Sequence, residues 1–163
     1  MLSMGKILAY AGLMDNLEVT WMPSYGPEQR GGTANVTVIL SDAPISSPVL
    51  DMFDTAVVLN QQSLDKFESK VKPGGTLIYD PSGISRLPVR DDIRVVPVDA
   101  MEAAIELKNS KTYNMILLGA LLKCRPVVDT DAVIRGLRKT LPERHHHLIP
   151  LNEQALLKGM SMV

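Results

Sequence analysis

The stretch Thr55-Ala56-Val57-Val58-Leu59-Asn60-Gln61-Gln62-Ser63-Leu64-Asp65-Lys66-Phe67, continued by Glu68-Ser69-Lys70-Val71-Lys72-Pro73-Gly74-Gly75-Thr76-Leu77-Ile78-Tyr79, decides the fold. Thr55 to Leu59 is a β-prone apolar run, and Thr76 to Tyr79 is another. Between them Leu64, Phe67 and Val71 share one helical face behind Ser63, which reads as the N-cap. Lys72-Pro73-Gly74-Gly75 reads as the turn that ends this helix. Residues 55–79 therefore form a βαβ unit, whose strands must lie parallel. The class is α/β.

Outward from this unit, apolar residues from Leu2 to Met14 recur at spacings of mostly two to four, which predicts an opening helix that ends near Asp15-Asn16. Short strands are expected at Leu17 to Met22, where Pro23 stops the run, and at Asn35 to Leu40. Ile93 to Val98 supplies a further strand, and Asp99 opens a helical pattern through Leu107. Tyr113 to Cys124 is apolar on nearly every face and so predicts a fully buried helix. Asp129 to Leu141 has acidic residues at its start and Arg135, Arg138 and Lys139 toward its end, the arrangement the helix dipole favours. A last short helix runs from Asn152 to Met160 and carries an exposed C-terminus. Without an internal repeat or linker, the 163 residues read as one domain, 1–163.

Composition removes several classes of function. Seventeen basic against eighteen acidic residues give a net charge of -1, with no cationic run to track a phosphate backbone. One Trp, four Tyr and two Phe are too few for a base-stacking platform. Nucleic acid is not an expected partner. The longest apolar run, Met115 to Leu122, is far short of the roughly 20 residues that span a bilayer, and no secretory signal is evident. A cytoplasmic protein is expected. The single cysteine, Cys124, excludes an internal disulfide and cannot hold an iron–sulfur cluster.

The most conspicuous segment is Pro23-Ser24-Tyr25-Gly26-Pro27-Glu28-Gln29-Arg30-Gly31-Gly32-Thr33. Long loops rich in Gly and Pro within a compact domain are more often functional than accidental. Gly26 to Thr33 reads G-x-x-x-x-G-G-T, one position away from the phosphate loop G-x-x-x-x-G-K-[ST]. The missing lysine removes the charge that neutralises β/γ-phosphates, and a strand follows Gly32 where that motif needs a helix. Nucleotide hydrolysis is excluded. The loop instead reads as one that presents Tyr25, Glu28, Gln29 and Arg30 at the carboxyl edge of a sheet, the alternative being an unusual crossover loop.

Three weaker signals carry less. Val71-Lys72-Pro73-Gly74-Gly75-Thr76-Leu77 is similar to a helix-to-strand turn of class I methyltransferases, but no early G-x-G-x-G loop accompanies it. Adjacent imidazoles in His145-His146-His147 point in divergent directions, about 100° apart if helical, so no metal site is expected there. Cys124 in an apolar helix reads as packing. No Ser, His and Asp set forms a nucleophile signature, and no catalytic residue is assigned.

Taken with its flanks, Val19-Thr20-Trp21-Met22-Pro23-Ser24-Tyr25-Gly26-Pro27-Glu28-Gln29-Arg30-Gly31-Gly32-Thr33-Ala34-Asn35 closely resembles the gamma subunit of 2-oxoacid:ferredoxin (acceptor) oxidoreductases, the 2-oxoglutarate, ketoisovalerate and pyruvate family. Ser41-Asp42, Ile45-Ser46-Ser47-Pro48, Asn60 to Phe67, Val71 to Gly75, Pro142 to His146 and Ile149 to Asn152 extend the likeness over essentially the whole chain.

The resemblance implies a three-layer Rossmann-like domain with a mostly parallel central sheet, of the catalytic type found in pyruvate and ketoisovalerate oxidoreductases. It implies a non-catalytic gamma subunit in a complex for coenzyme-A-dependent oxidative decarboxylation of a 2-oxoacid with ferredoxin as acceptor. By its Pro-Ser-Tyr-Gly-Pro-Glu form, 2-oxoglutarate or a branched-chain acid is favoured. Thiamine diphosphate, magnesium and iron–sulfur clusters belong to the alpha, beta and delta partners, coenzyme A is a co-substrate, and this chain alone binds none of them. The partner-facing loop is Ser24, Tyr25, Gly26, Pro27, Glu28, Gln29, Arg30, Gly31, Gly32, Thr33 and Asn35, with Arg30 suited to bidentate contact with a carboxylate or phosphate. The family's usual first strand and G-x-G-G-Q-G loop would fall immediately before Met1, so lowered stability and self-association of the isolated chain are expected. An independent α/β small-molecule binding module is the alternative.

Overall fold

The computed structural model describes residues 1–25 and 34–163, which divide into two compact units. One comprises Met1–Val49 with Pro126–Glu153, the other Leu50–Arg125 with Gln154–Val163.

In the first unit, helix α1 (Leu2–Met14) covers the hairpin of β1 (Glu18–Tyr25) and β2 (Ala34–Ser41) and packs against α5 (Thr130–Thr140). The strands pair antiparallel without a register break, from Glu18 opposite Ser41 to Tyr25 opposite Ala34. Period-2 alternation puts Val19, Leu40, Val38 and Val36 on one face. That face meets α1 at two glycines: a Cβ on Gly5 would stand 2.7 Å from Val36, and one on Gly12 would stand 2.5 Å from Leu40. Small residues at both points let the helix lie close on the strands.

One expectation shifts here. Strand β1 does not stop at Pro23 but runs through it to Tyr25, with Pro23 opposite Val36. Among the described strands β1 pairs only with β2, so a residue without an N–H forfeits no ladder bond on the free edge. The segment 26–33, expected to present its side chains at the carboxyl edge of a sheet, lies outside the described residues.

The second unit holds the parallel sheet, in the order β3 (Phe53–Val58), β4 (Val71–Tyr79), β5 (Arg94–Pro97). β4 is central, and Thr76 to Asp80 are all buried, as a strand covered on both faces requires. Helix α2 (Gln61–Phe67) connects β3 to β4, so the βαβ unit stands, and the fold is mixed α/β. Leu64, Val58, Val71, Leu77, Tyr79 and Ile93 form its core.

Details within this unit differ from the sequence reading. The cap of α2 is Asn60, whose Oδ1 accepts from the Ser63 N–H at 2.8 Å; Ser63 is the donor of that bond. The helix ends at Phe67 and passes through one 3₁₀ turn, so Lys72-Pro73-Gly74-Gly75 lies inside β4. Gly74 has φ 75° and donates to the Asp92 carbonyl at 2.7 Å, which absorbs the register shift between Phe53 and Thr55.

Helices α3 (Ala100–Glu106) and α4 (Tyr113–Cys124) follow, with Met115 to Leu122 wholly buried as their all-round apolarity demands. Helix α6 is longer than expected, Ile149–Ser161, and its second half crosses α4 where glycine faces backbone. Its end is half-buried at Met162 and Val163 where an exposed terminus was expected.

Candidate functional site

The hairpin brings the two ends of the conspicuous segment together. Ser24 stands opposite Asn35, and Tyr25 opposite Ala34, at the last described pairs of the ladder. Ser24 is exposed and Asn35 half-buried. Gly26, Pro27, Glu28, Gln29, Arg30, Gly31, Gly32 and Thr33 lie outside the described residues. Back from the tip, Trp21 pairs with Val38 and is 38% exposed, an amphipathic ring on the same hairpin.

In the second unit the carboxyl ends of the parallel strands converge on polar side chains, the position where open α/β sheets place their ligands. Asp80, directly after β4, is 1% exposed. Its Oδ1 accepts from the Ser82 N–H at 2.8 Å and the Ser82 hydroxyl at 2.6 Å, while Oδ2 accepts from the Met101 N–H at 3.0 Å. Asp80 thereby caps α3 from a distance, since Asp99 at the N-cap makes no side-chain bond. Tyr113, at the start of α4, donates its hydroxyl to the same carboxylate. Burial first, then the Asp80 charge and that hydrogen bond, push the Tyr113 phenol well above its ordinary value. With every lone pair engaged, the cluster acts as a staple between strand and helices.

Gln61, at the start of α2, works on the next connection. Its Oε1 accepts from the Ser85 N–H, the Ser85 hydroxyl and the Arg86 N–H at 3.0, 3.1 and 2.8 Å. Its Nε2 donates to Asp65 at 2.8 Å. Glu68 completes the clamp. It is 6% exposed, accepts from the Val89 and Arg90 N–H groups and pairs with Arg86 at 3.1 Å. Burial raises this carboxyl, but the Val89 N–H, Arg86 and the Arg90 N–H outweigh it and hold the carboxyl below the usual range. Sequence reasoning found none of these roles: Asp80, Glu68 and Tyr113 stand in no recognisable spacing, and only the fold gathers their donors.

The histidine segment lies in a 3₁₀ turn, Glu143–Leu148. His146 Nε2 reaches the carbonyls of Arg138 and Leu141 at 3.1 and 3.0 Å, closing the end of α5, while the His145 and His147 rings lie 6.4 Å apart. Among the described residues no group of three or more His, Cys, Asp or Glu converges as a metal site. Cys124 is half-buried, and burial pushes its thiol up despite nearby Arg94. No helix among the described residues is long and apolar enough to cross a membrane.

A parallel α/β unit and an antiparallel hairpin, with no self-contained catalytic set among the described residues, define a class of α/β scaffold. Known proteins narrow it. The chain is 37% identical over 121 residues to the ketoisovalerate oxidoreductase subunit VorA of Methanothermobacter marburgensis, a match over 74% of this chain and 25% of that one. It is 32% identical over 136 residues to the 2-oxoglutarate synthase subunit KorC of Methanocaldococcus jannaschii, 82% of this chain and 72% of that one. Among solved structures, the gamma subunit of a keto/oxoacid ferredoxin oxidoreductase from Geobacter sulfurreducens superposes with a TM-score of 0.81 at 26% identity, over 99% of this chain and 89% of that one. The chain thus spans a quarter of the ketoisovalerate subunit and most of the other two. Residues 1–162 match the model of the pyruvate ferredoxin/flavodoxin oxidoreductase family, and the chain belongs to that family.

Proposed function

We propose that this chain, as one gamma-type domain over 1–163, is the gamma subunit of a cytoplasmic multisubunit 2-oxoacid:ferredoxin oxidoreductase. The complex joins a 2-oxoacid and coenzyme A, releases carbon dioxide and an acyl-CoA, and passes two electrons to ferredoxin. The observation that carries this reading is the family match over residues 1–162, together with relatives that are themselves oxidoreductase subunits.

The donor set supports a non-catalytic share of the work. One cysteine cannot bind an iron–sulfur cluster, and the buried carboxylates Asp80 and Glu68 are engaged by donors of this chain. On this reading thiamine diphosphate, magnesium and clusters belong to the alpha, beta and delta subunits. Ser24, Tyr25, Asn35 and the intervening segment 26–33 form the partner-facing loop. Arg30 in it is the group suited to a carboxylate of a neighbouring subunit or a phosphate of coenzyme A. Names of the relatives at 37% and 32% identity support a branched-chain 2-oxoacid or 2-oxoglutarate as substrate.

Isolation of the tagged chain from its native cell tests the reading. Co-purification of subunits that carry thiamine diphosphate and iron–sulfur clusters supports it; a clean monomer that binds a small molecule through the Tyr25 to Thr33 segment replaces it with an independent binding module.

A further inference from the structure

In the first unit the end of α5 and the 3₁₀ turn after it gather cations that find no carboxylate. Arg138, Lys139 and Arg144 are exposed, and among the described residues none of the three makes an ion pair. Arg135, one turn earlier, differs: it lies 3.4 Å from Asp15. The only acid of the segment, Glu143, is exposed and makes no ion pair among the described residues either. Residues 138–147 thus carry three cations against one anion, in a chain whose net charge is -1.

The helix dipole favours cations at this end, but the open carbonyls of α5 do not need them. His146 closes those carbonyls, its Nε2 reaching Arg138 and Leu141 oxygens at 3.1 and 3.0 Å. The same contacts hold the turn against the helix end, so Arg144, two positions before His146, shares that end with Arg138 and Lys139. Arg144 is itself positioned: its Nε donates to His145 Nε2 at 3.3 Å, which leaves the terminal guanidinium nitrogens to a partner.

The setting narrows that partner. A small anion seated here would face the negative end of the α5 dipole. Three cations are too few to track a phosphate backbone, and residues 138–147 contain no Trp, Tyr or Phe to stack a base. Long cationic side chains beyond a capped helix end suit carboxylates presented by a protein surface, which Arg can take bidentately.

We propose that Arg138, Lys139 and Arg144 form a docking patch for an acidic surface on another subunit of the oxidoreductase complex. The inference rests on the chain being such a subunit. Exposed charges of this kind act on encounter: they speed association and set its orientation, and salt screens them.

The test is the on rate of the full chain with the alpha, beta and delta subunits purified together without it, at about 0.05 M and about 0.5 M salt. The variant Arg138→Gln, Lys139→Gln, Arg144→Gln is compared with wild type and with Lys70→Gln, Lys111→Gln, Lys123→Gln, which removes three equally exposed charges elsewhere. At low salt the patch variant is expected to associate about ten-fold more slowly, the gap closing at high salt, while the control keeps the wild-type rate. Melting curves check that both variants stay folded, and the wild-type rate alone gives a second reading, since it must fall with salt. Equal rates for wild type and patch variant, or a wild-type rate indifferent to salt, overturn the patch and leave the subunit reading intact. An equal loss in the control also overturns it, as an effect of overall charge. Binding of a single-stranded oligonucleotide that the patch variant abolishes makes nucleic acid the occupant and overturns it. Failure of wild type to join the other subunits at either salt concentration removes the subunit reading itself, and the patch with it.

Discussion

Gly119 lies against the backbone of Leu156 so closely that a Cβ on it would stand 2.0 Å from the Leu156 carbonyl oxygen. The contact is reciprocal along the crossing of α4 and α6, because a Cβ on Gly159 would stand 1.8 Å from the Ile116 carbonyl oxygen. Backbone cannot give way as a flexible side chain can. Gly119→Ala and Gly159→Ala are therefore each expected to lower stability by about 3 kcal/mol or more, at or beyond the upper end of ordinary overpacking. Chemical denaturation measures this, and a loss under about 1 kcal/mol would contradict the close crossing.

The Asp80 cluster makes a pH-dependent prediction. Tyr113 ionises far less readily in the folded chain than in the unfolded one, so its contribution is fully present below the unfolded value of about 10 and is lost as pH rises beyond it. Stability should fall above about pH 10, and Tyr113→Phe should flatten that fall at a neutral-pH cost of about 1 kcal/mol. Asp80→Asn should cost more, about 2–4 kcal/mol, because the amide places a donor against N–H and O–H donors. If Asp80→Asn melted like wild type, the staple would not be what holds α3.

At acid pH Glu68 should govern the clamp. Its folded pKa is depressed, so its contribution is present above the unfolded value of about 4.3 and is lost as pH falls through the lower folded value. Glu68→Gln removes the Arg86 pair and should cost about 1–3 kcal/mol at neutral pH while flattening the acid limb. Hydrogen exchange at the Val89 and Arg90 amides reads the same event locally; unchanged protection in the variant would contradict the clamp.

How much of this was legible in the sequence divides along physical lines. Locally encoded features read well: α1 and α4 fall on their expected residues, because a 3.6-residue apolar period or an unbroken apolar run fixes a helix without reference to its neighbours. The parallel sheet followed from one strand–helix–strand segment. What depends on distant partners did not read. Pro23 continues β1 because among the described strands β1 pairs on one edge only, Asn60 takes the cap that Ser63 was expected to make, and Gly74 is absorbed in a bulge. Asp80 and Glu68 carry no sequence signal of their roles, since their donors come from residues 21 or more positions away as well as nearby ones. For the candidate site, the loop and its resemblance pointed to the family, whereas the clamp of Gln61 and Glu68 has no sequence signature.

The loop itself carries a prediction for the assembled enzyme. Arg30→Ala should leave the melting temperature of the isolated chain unchanged and reduce either assembly or coenzyme-A-dependent turnover by about ten-fold, as loss of a charged hydrogen bond in an interface does. Arg30→Lys should recover only part of it, since a point charge does not replace a bidentate fork. Assembly and turnover at wild-type levels in Arg30→Ala would remove Arg30 from the partner-facing role.

The most direct test of the central claim is viologen reduction by the purified complex, with coenzyme A and 2-oxoglutarate, ketoisovalerate or pyruvate, prepared with and without this chain. Activity that requires the chain, and that favours 2-oxoglutarate or ketoisovalerate, is the predicted result. Full activity without the chain would contradict its place as a working subunit.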